Sequence, residues 1–296
     1  MGTAASETVL DHAELPLDAT FVAYLPSTPA PESVVAFIEE AANHMCTPLD
    51  HFEFWGDVSR PRRGRWDPER ATTLLRDGDR GEPPSCLSVT THVRGGDNRH
   101  PASSVMVQDL DWWDACASPC TRIQLATRVR TEAAAIPLAQ AWAKAAATHL
   151  GTLYGLGYAA VSKNWDFDYA SWWINGTIYE RPSGLGECEP VVEEWERVRN
   201  GQRDLTPVFA GELCRSVRAV NVLRPALAEL VRPVLAAEGV EFADQIVPLG
   251  ADHVMWTVAD DEDQRRAQKA LYDAGLCVER EWLPLARHVV LTEPTG

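Results

Sequence analysis

No stretch of the 296 residues stays apolar for about 18 positions, so no transmembrane helix can be drawn on this sequence. The opening MGTAASETVLDHAELPLD has neither a cationic start nor a continuous apolar run and does not form a secretory signal. MGTAAS fits an N-myristoylation pattern with Gly2 as acceptor and Ser6 at the required offset. Glu7, Asp11 and Glu14 then stand where basic residues would have to reinforce one acyl chain, so the reading is an unanchored tail and a cytoplasmic chain. Neither a GxxxxGKS/T loop nor a GxSxG elbow is present, which removes the usual anchors of nucleoside-triphosphate and serine-hydrolase chemistry. Cationic charge is also short: 27 Lys and Arg face 43 Asp and Glu, a net charge of −16. Such a field repels phosphate backbones and anionic lipid and draws a basic partner inward, so nucleic acid and membrane surfaces are excluded as partners and a cationic protein is favoured.

The seven cysteines are an odd number, which leaves at least one without a partner in any set of disulfides. Cys46, Cys86, Cys116, Cys120, Cys188, Cys214 and Cys277 are spread without the spacing of a disulfide framework and read as reduced thiols. Cys116 and Cys120 lie one helical turn apart, and His44, Cys46 and His51 form a looser group. Neither completes a metal-ligand set, and no local signal marks a Cys–His nucleophile. No cofactor, metal or catalytic residue is therefore assigned.

What is present suffices for a folded domain: 45% of residues are hydrophobic, and a chain this long buries roughly 75% of its unfolded surface. TFVAYL (20–25) alternates as a strand. PSTPAPE breaks the chain, and Pro31, Glu32 and the stripe Val34, Ile38, Ala41, Met45 start a helix. Asp67, Pro68 and Gly78 bracket a second helix, and the arginines at 60, 62, 63 and 65 before it read as a solvated loop. CLSVTTHV (86–93) and SVMVQDLDW (104–112) form a hairpin, with TRIQLATRV (121–129) a third strand. Pro137 opens an alanine-rich helix to about Tyr154, after which Gly155 and Gly157 read as a helix-ending turn, since a dinucleotide fingerprint would need a strand before it. Helices follow at 189–201 and from Pro225 to Gly239, the latter kinked or split at Pro233. HVMWTV (253–258) is a strand, DDEDQRRAQKALYDAG a helix, and LCVEREW a closing strand or turn. The class is α+β, with a mixed, mainly antiparallel sheet or sheets packed against several helices. A flexible tail at 1–18 precedes a single domain over 19–292, with a division into two lobes near 130–160 left open.

Two clusters combine acids with large aromatics. In WDFDY, strand alternation sets Trp165, Phe167 and Tyr169 against Asp166 and Asp168, and SWWINGTIYE adds Trp172 and Trp173. In QDLDWWD, Asp109 and Asp111 share a face, with Trp112, Trp113 and Asp114 beyond. The blander reading is aromatic core with a solvated acidic face. Brought together, the same residues would make a recognition surface for a basic protein, the rings anchoring and the carboxylates complementing. They could also serve a carbohydrate-active or metal-assisted hydrolase using Asp109, Asp111, Asp166 or Asp168. A scaffold or homo-oligomer without a ligand of its own stays open.

RSVRAVNVLRPALAEL followed by GVEFADQIVPLGADHVMWTVADDEDQ resembles bacterial toxin-immunity proteins, in particular the type VI secretion immunity family. Val220, Asn221 and Leu223 correspond to a short strand entering a helix, and Pro248, Leu249 and Gly250 to the turn of the next strand. The resemblance implies a non-enzymatic α+β protein that binds and blocks a cognate toxin. It carries over no catalytic residue.

Overall fold

The computed structural model describes residues 7–9, 17–56, 62–78, 84–91, 102–109, 121–151, 154–161, 206–240, 245–279, 282 and 289–291. Its elements run β1 (Glu7–Val9), β2 (Leu17–Leu25), α1 (Pro31–Ala42), β3 (His51–Gly56), β4 (Arg62–Arg65), α2 (Pro68–Asp77), β5 (Pro84–Thr90), β6 (Ser103–Asp109), β7 (Thr121–Val129), α3 (Glu132–His149) and β8 (Tyr154–Val161). The chain continues with α4 (Thr206–Phe209), β9 (Val220–Leu223), α5 (Pro225–Ala237), β10 (Ile246–Leu249), β11 (His253–Thr257), α6 (Asp261–Asp273) and β12 (Val289–Leu291). Ten strands form one sheet in the order β10-β11-β9-β8-β2-β7-β6-β5-β3-β4, and every pairing described is antiparallel. With helices on both faces this is an α+β fold. No helix among the described residues is long and apolar enough to cross a membrane. Within 1–18, β1 pairs with β12 and β2 already starts at Leu17.

Most helix ends follow local chemistry. The Asp67 carboxylate accepts from Arg70 N–H to cap α2, which Gly78 closes with φ 69°. Asp260 accepts from Glu262 and Asp263 N–H to start α6. In α3 the start lies earlier than Pro137: Thr131 caps it by accepting from Ala134 N–H, and Pro137 sits inside. α5 likewise runs unbroken through Pro233. In both helices the buried stripe continues past the ring, through Ala139, Trp142 and Ala143 in α3 and through Leu235 in α5. Burying that stripe offsets the single backbone hydrogen bond each proline removes.

Alternation divides β2 between two cores. Ala19, Phe21, Ala23 and Leu25 face α1 and α3, while Val22 and Tyr24 join a second core with α4, α5 and α6. Gly155 and Gly157 are not a helix-ending turn; they lie within β8, and the glycine that reverses the chain after α3 is Gly151, at φ 60°. The reason is the packing of α3 across the sheet. A Cβ on Gly157 would stand 2.5 Å from the Cβ of Ala139. The arginines at 62, 63 and 65 are likewise not in a loop but form β4, the last strand at one end of the sheet, where Arg63 pairs with Glu53 at 2.6 Å. Charged side chains suit such a strand because they discourage pairing with another chain.

Candidate functional site

Register sets where the two acid-aromatic runs leave the sheet. Asp109 is the last residue of β6 and pairs with Thr121, which also pairs with Leu25. Tyr24 pairs with Tyr154, so Asp109 and the start of β8 lie toward the same end. Val161, from which the second run follows, pairs with Leu17 at the opposite end. Strands of nine residues span about 30 Å, so the two runs set out from far-apart edges. Asp111, Trp112, Trp113, Asp114, Trp165, Asp166, Asp168, Tyr169, Trp172 and Trp173 lie outside the described residues, as does the helix expected at 189–201.

The described part of the β6 end carries a polar patch that composition gives no hint of. Counting outward from β2, Tyr24, Arg122, Gln108 and Cys86 form one cross-strand row, and Val22, Gln124, Met106, Ser88 and Glu53 form the next. These rows occupy the sheet face opposite α1 and α3. Arg122, only 1% exposed, donates to Gln108 Oε1 at 3.1 Å and to Gln124 Oε1 at 2.7 Å. Neither Gln124 Nε2 nor the Thr20 hydroxyl, both buried, has a hydrogen-bond partner among the described residues. Each buried polar atom left unsatisfied costs about 1–3 kcal/mol. Farther along the same face Arg128 meets Asp18 at 3.2 Å.

Beyond β2 the face is closed by a buried polar network that holds α6 to the sheet. Tyr154 OH donates to the Ser216 carbonyl at 2.7 Å and accepts from Ser216 N–H at 3.1 Å, while Gln268 Oε1 accepts from Ser216 Oγ and Val217 N–H. Burial, followed by the neighbouring thiols Cys214 and Cys277, pushes the Tyr154 pKa well above the usual phenol value, so it stays a neutral donor. Arg215 Nε donates to Glu279 Oε1 at 2.9 Å, both side chains being 5% exposed, and Nη1 donates to Tyr24 OH. Arg218 stacks over Tyr158 at 5.6 Å and over Trp282 at 5.9 Å, and Arg265 lies over Trp282 at 5.4 Å. The pair of arginines in RSVR was the available sequence signal: two cations beside Val217 in an apolar stretch require partners if buried.

Cys46 is exposed, and its neighbours are hydroxyls. Its Sγ lies 3.0 Å from Thr127 Oγ1 and 3.8 Å from Ser103 Oγ. Partial burial opposes ionisation. Hydrogen bonds from Thr127, Ser103, Thr47 and the Arg128 backbone outweigh it, so the thiol pKa is held below its ordinary value. His44 and His51 do not join it in a metal site: no group of three His, Cys, Asp or Glu able to hold a metal occurs among the described residues. A cavity of about 340 Å³ lies beside the start of α1, with Pro29, Val34, Leu75, Cys86 and Val107 on its walls. Arg76 at its rim is paired with Glu32.

No protein-family profile matches the chain, and no curated protein matches it. Among solved structures the chain is similar to the Pseudomonas aeruginosa T6SS protein PA0821, with a TM-score of 0.49 and 16% identity, over 90% of this chain and 74% of that one.

Proposed function

We propose that this is an immunity-type binding protein that neutralises a cognate basic toxin domain through acidic, aromatic-rich surfaces around Asp109–Asp114 and Trp165–Trp173, the first of them starting at the Asp109 end of the sheet. The observation that carries the reading is the excess of acid, a net charge of −16 on 296 residues. It steers a cationic partner at rates that neutral surfaces do not reach. The sheet supports the reading in a second way. Asp109 ends β6 directly after Gln108, which accepts from buried Arg122, so the first acidic run starts from the end of a paired strand. A docking surface anchored on such an element loses little conformational entropy on binding.

The test uses the purified full chain and the purified product of the neighbouring gene. A complex is expected whose affinity falls at least about tenfold between 50 and 300 mM salt, since exposed charges are screened over about 10 Å at 0.1 M. Asp111→Lys combined with Asp114→Lys should slow association by a similar factor while leaving the unfolding midpoint unchanged. No capture of the neighbouring product, or capture indifferent to both salt and the charge reversal, removes the reading.

A further inference from the structure

We propose that Cys214 and Cys277 are a disulfide-forming pair, a thiol modification site that ties the segment after α6 to the loop before β9. The two are partners in an isolated parallel bridge. Cys214 N–H donates to the Leu276 carbonyl at 2.9 Å, and Val278 N–H donates back to the Cys214 carbonyl at 2.9 Å, which sets Cys277 directly opposite Cys214. Chains bonded in this way run about 4.8 Å apart, inside the 4.4–6.8 Å Cα separation that a disulfide spans. Opposed residues of a parallel pair point to the same side, and here both side chains enter the same core, 1% and 5% exposed. The bridge is one rung, followed by Glu279 N–H donating to the Arg215 carbonyl and Arg215 Nε to Glu279 Oε1. Ser216 on Tyr154 and Arg215 on Tyr24 hold this segment to the sheet, so the sulfurs meet by rotation of the two side chains within the rung.

Both cysteines are free thiols, and Cys277 Sγ donates to the Arg215 carbonyl at 3.2 Å. Oxidation needs a thiol oxidant, and a small-molecule disulfide such as oxidised glutathione balances the step. One cysteine thiolate attacks it, forming a mixed disulfide and releasing one glutathione thiol. The second cysteine thiolate then displaces the other glutathione, which also leaves as a thiol. The protein loses two protons and two electrons, and the oxidant gains both. Burial pushes the Cys214 thiol up to about 12 and Cys277 well above its ordinary value, with the charges of Cys214 and Glu279 adding to the latter. Thiolate is thus scarce once the core has closed, and exchange belongs to the folding chain.

The experiment refolds the full chain in a mixture of oxidised and reduced glutathione, alkylates the remaining thiols, and maps the peptides by mass spectrometry. The expected product is a Cys214–Cys277 cross-linked peptide, lighter by two hydrogens than the two reduced peptides. A disulfide closing a loop of about 60 residues should raise the thermal midpoint by roughly 5 °C or more over the reduced protein, and Cys214→Ser should abolish the rise. Alkylation of both Cys214 and Cys277 under conditions that oxidise other cysteines overturns the proposal, as does a cross-linked form no more stable than the reduced one. If Cys214→Ser does not refold, the wild-type map and the response of its midpoint to reductant decide the matter.

Discussion

Replacing Gly157 by alanine probes the contact on which the fold turns. The new Cβ would stand 2.5 Å from Ala139 Cβ and 3.1 Å from Val220 Cβ, whereas carbon atoms rest about 3.5–4.0 Å apart. Ala139 has no side-chain torsion with which to move aside. The strain has to be relieved by lifting α3 from β8 by about 1 Å, against a layer in which Ala135, Trp142, Ala143 and Ala146 are fully buried. Overpacking of this kind costs about 1–3 kcal/mol. The stiffer unfolded chain returns about 0.4–1 kcal/mol of that, so from the middle of the two ranges the net loss should be about 1.3 kcal/mol. At about 2–4 °C per kcal/mol for a large domain, the thermal midpoint should fall by roughly 3–5 °C. Equilibrium urea unfolding followed by tryptophan fluorescence measures the free-energy loss, and a thermal scan with the same probe measures the shift in midpoint. The double variant Ala139→Gly with Gly157→Ala removes the clashing atom and should be more stable than the sum of the single losses by about 1 kcal/mol. A Gly157→Ala protein as stable as wild type, or a strictly additive double variant, would show that α3 does not approach β8 this closely.

Two further outcomes can be read on the same instrument. Arg215→Met strips Glu279 of its guanidinium in a buried setting and should cost about 3–5 kcal/mol, whereas Arg215→Met with Glu279→Leu should cost less than that single change, because no charge is left stranded. Burial holds the His253 pKa below 6.5, the nearby Arg224 charge acting in the same direction and Asp252 opposing. The unfolded chain then binds a proton before the folded one, so stability contributed by neutral His253 is complete above pH 6.5 and is lost as pH falls through the folded pKa. Urea midpoints between pH 7.5 and 5.5 should fall less steeply for His253→Gln than for wild type, and parallel slopes would rule out that role.

Some of this fold is readable along the chain. Asp67, Pro68 and Gly78 bracket α2, and Asp260 begins α6, because capping acts between residues two to four apart. The β-branched residues of 121–129 announce β7 just as locally. Gly155 and Gly157 mislead, since glycine signals a turn locally and a close helix–strand approach only when its partner, Ala139, is known. The arginines at 62, 63 and 65 read as a loop because a strand at the end of a sheet needs no apolar alternation. The acidic-aromatic runs are legible as composition, but their departure from opposite ends of the sheet follows from the pairing of β2 with β7 and β8.

The sequence by itself determined the α+β class, most helix starts and stops, and the acid excess, all properties of neighbours in the chain or of their sum. Only the tertiary structure decided the order of ten strands, the polar row around Arg122, the Arg215–Glu279 pair and the meeting of Cys214 with Cys277. The physical reason is separation. Asp18 finds Arg128 across 110 positions, and contacts at that distance are selected by the joint burial of both sheet faces, which no local pattern encodes.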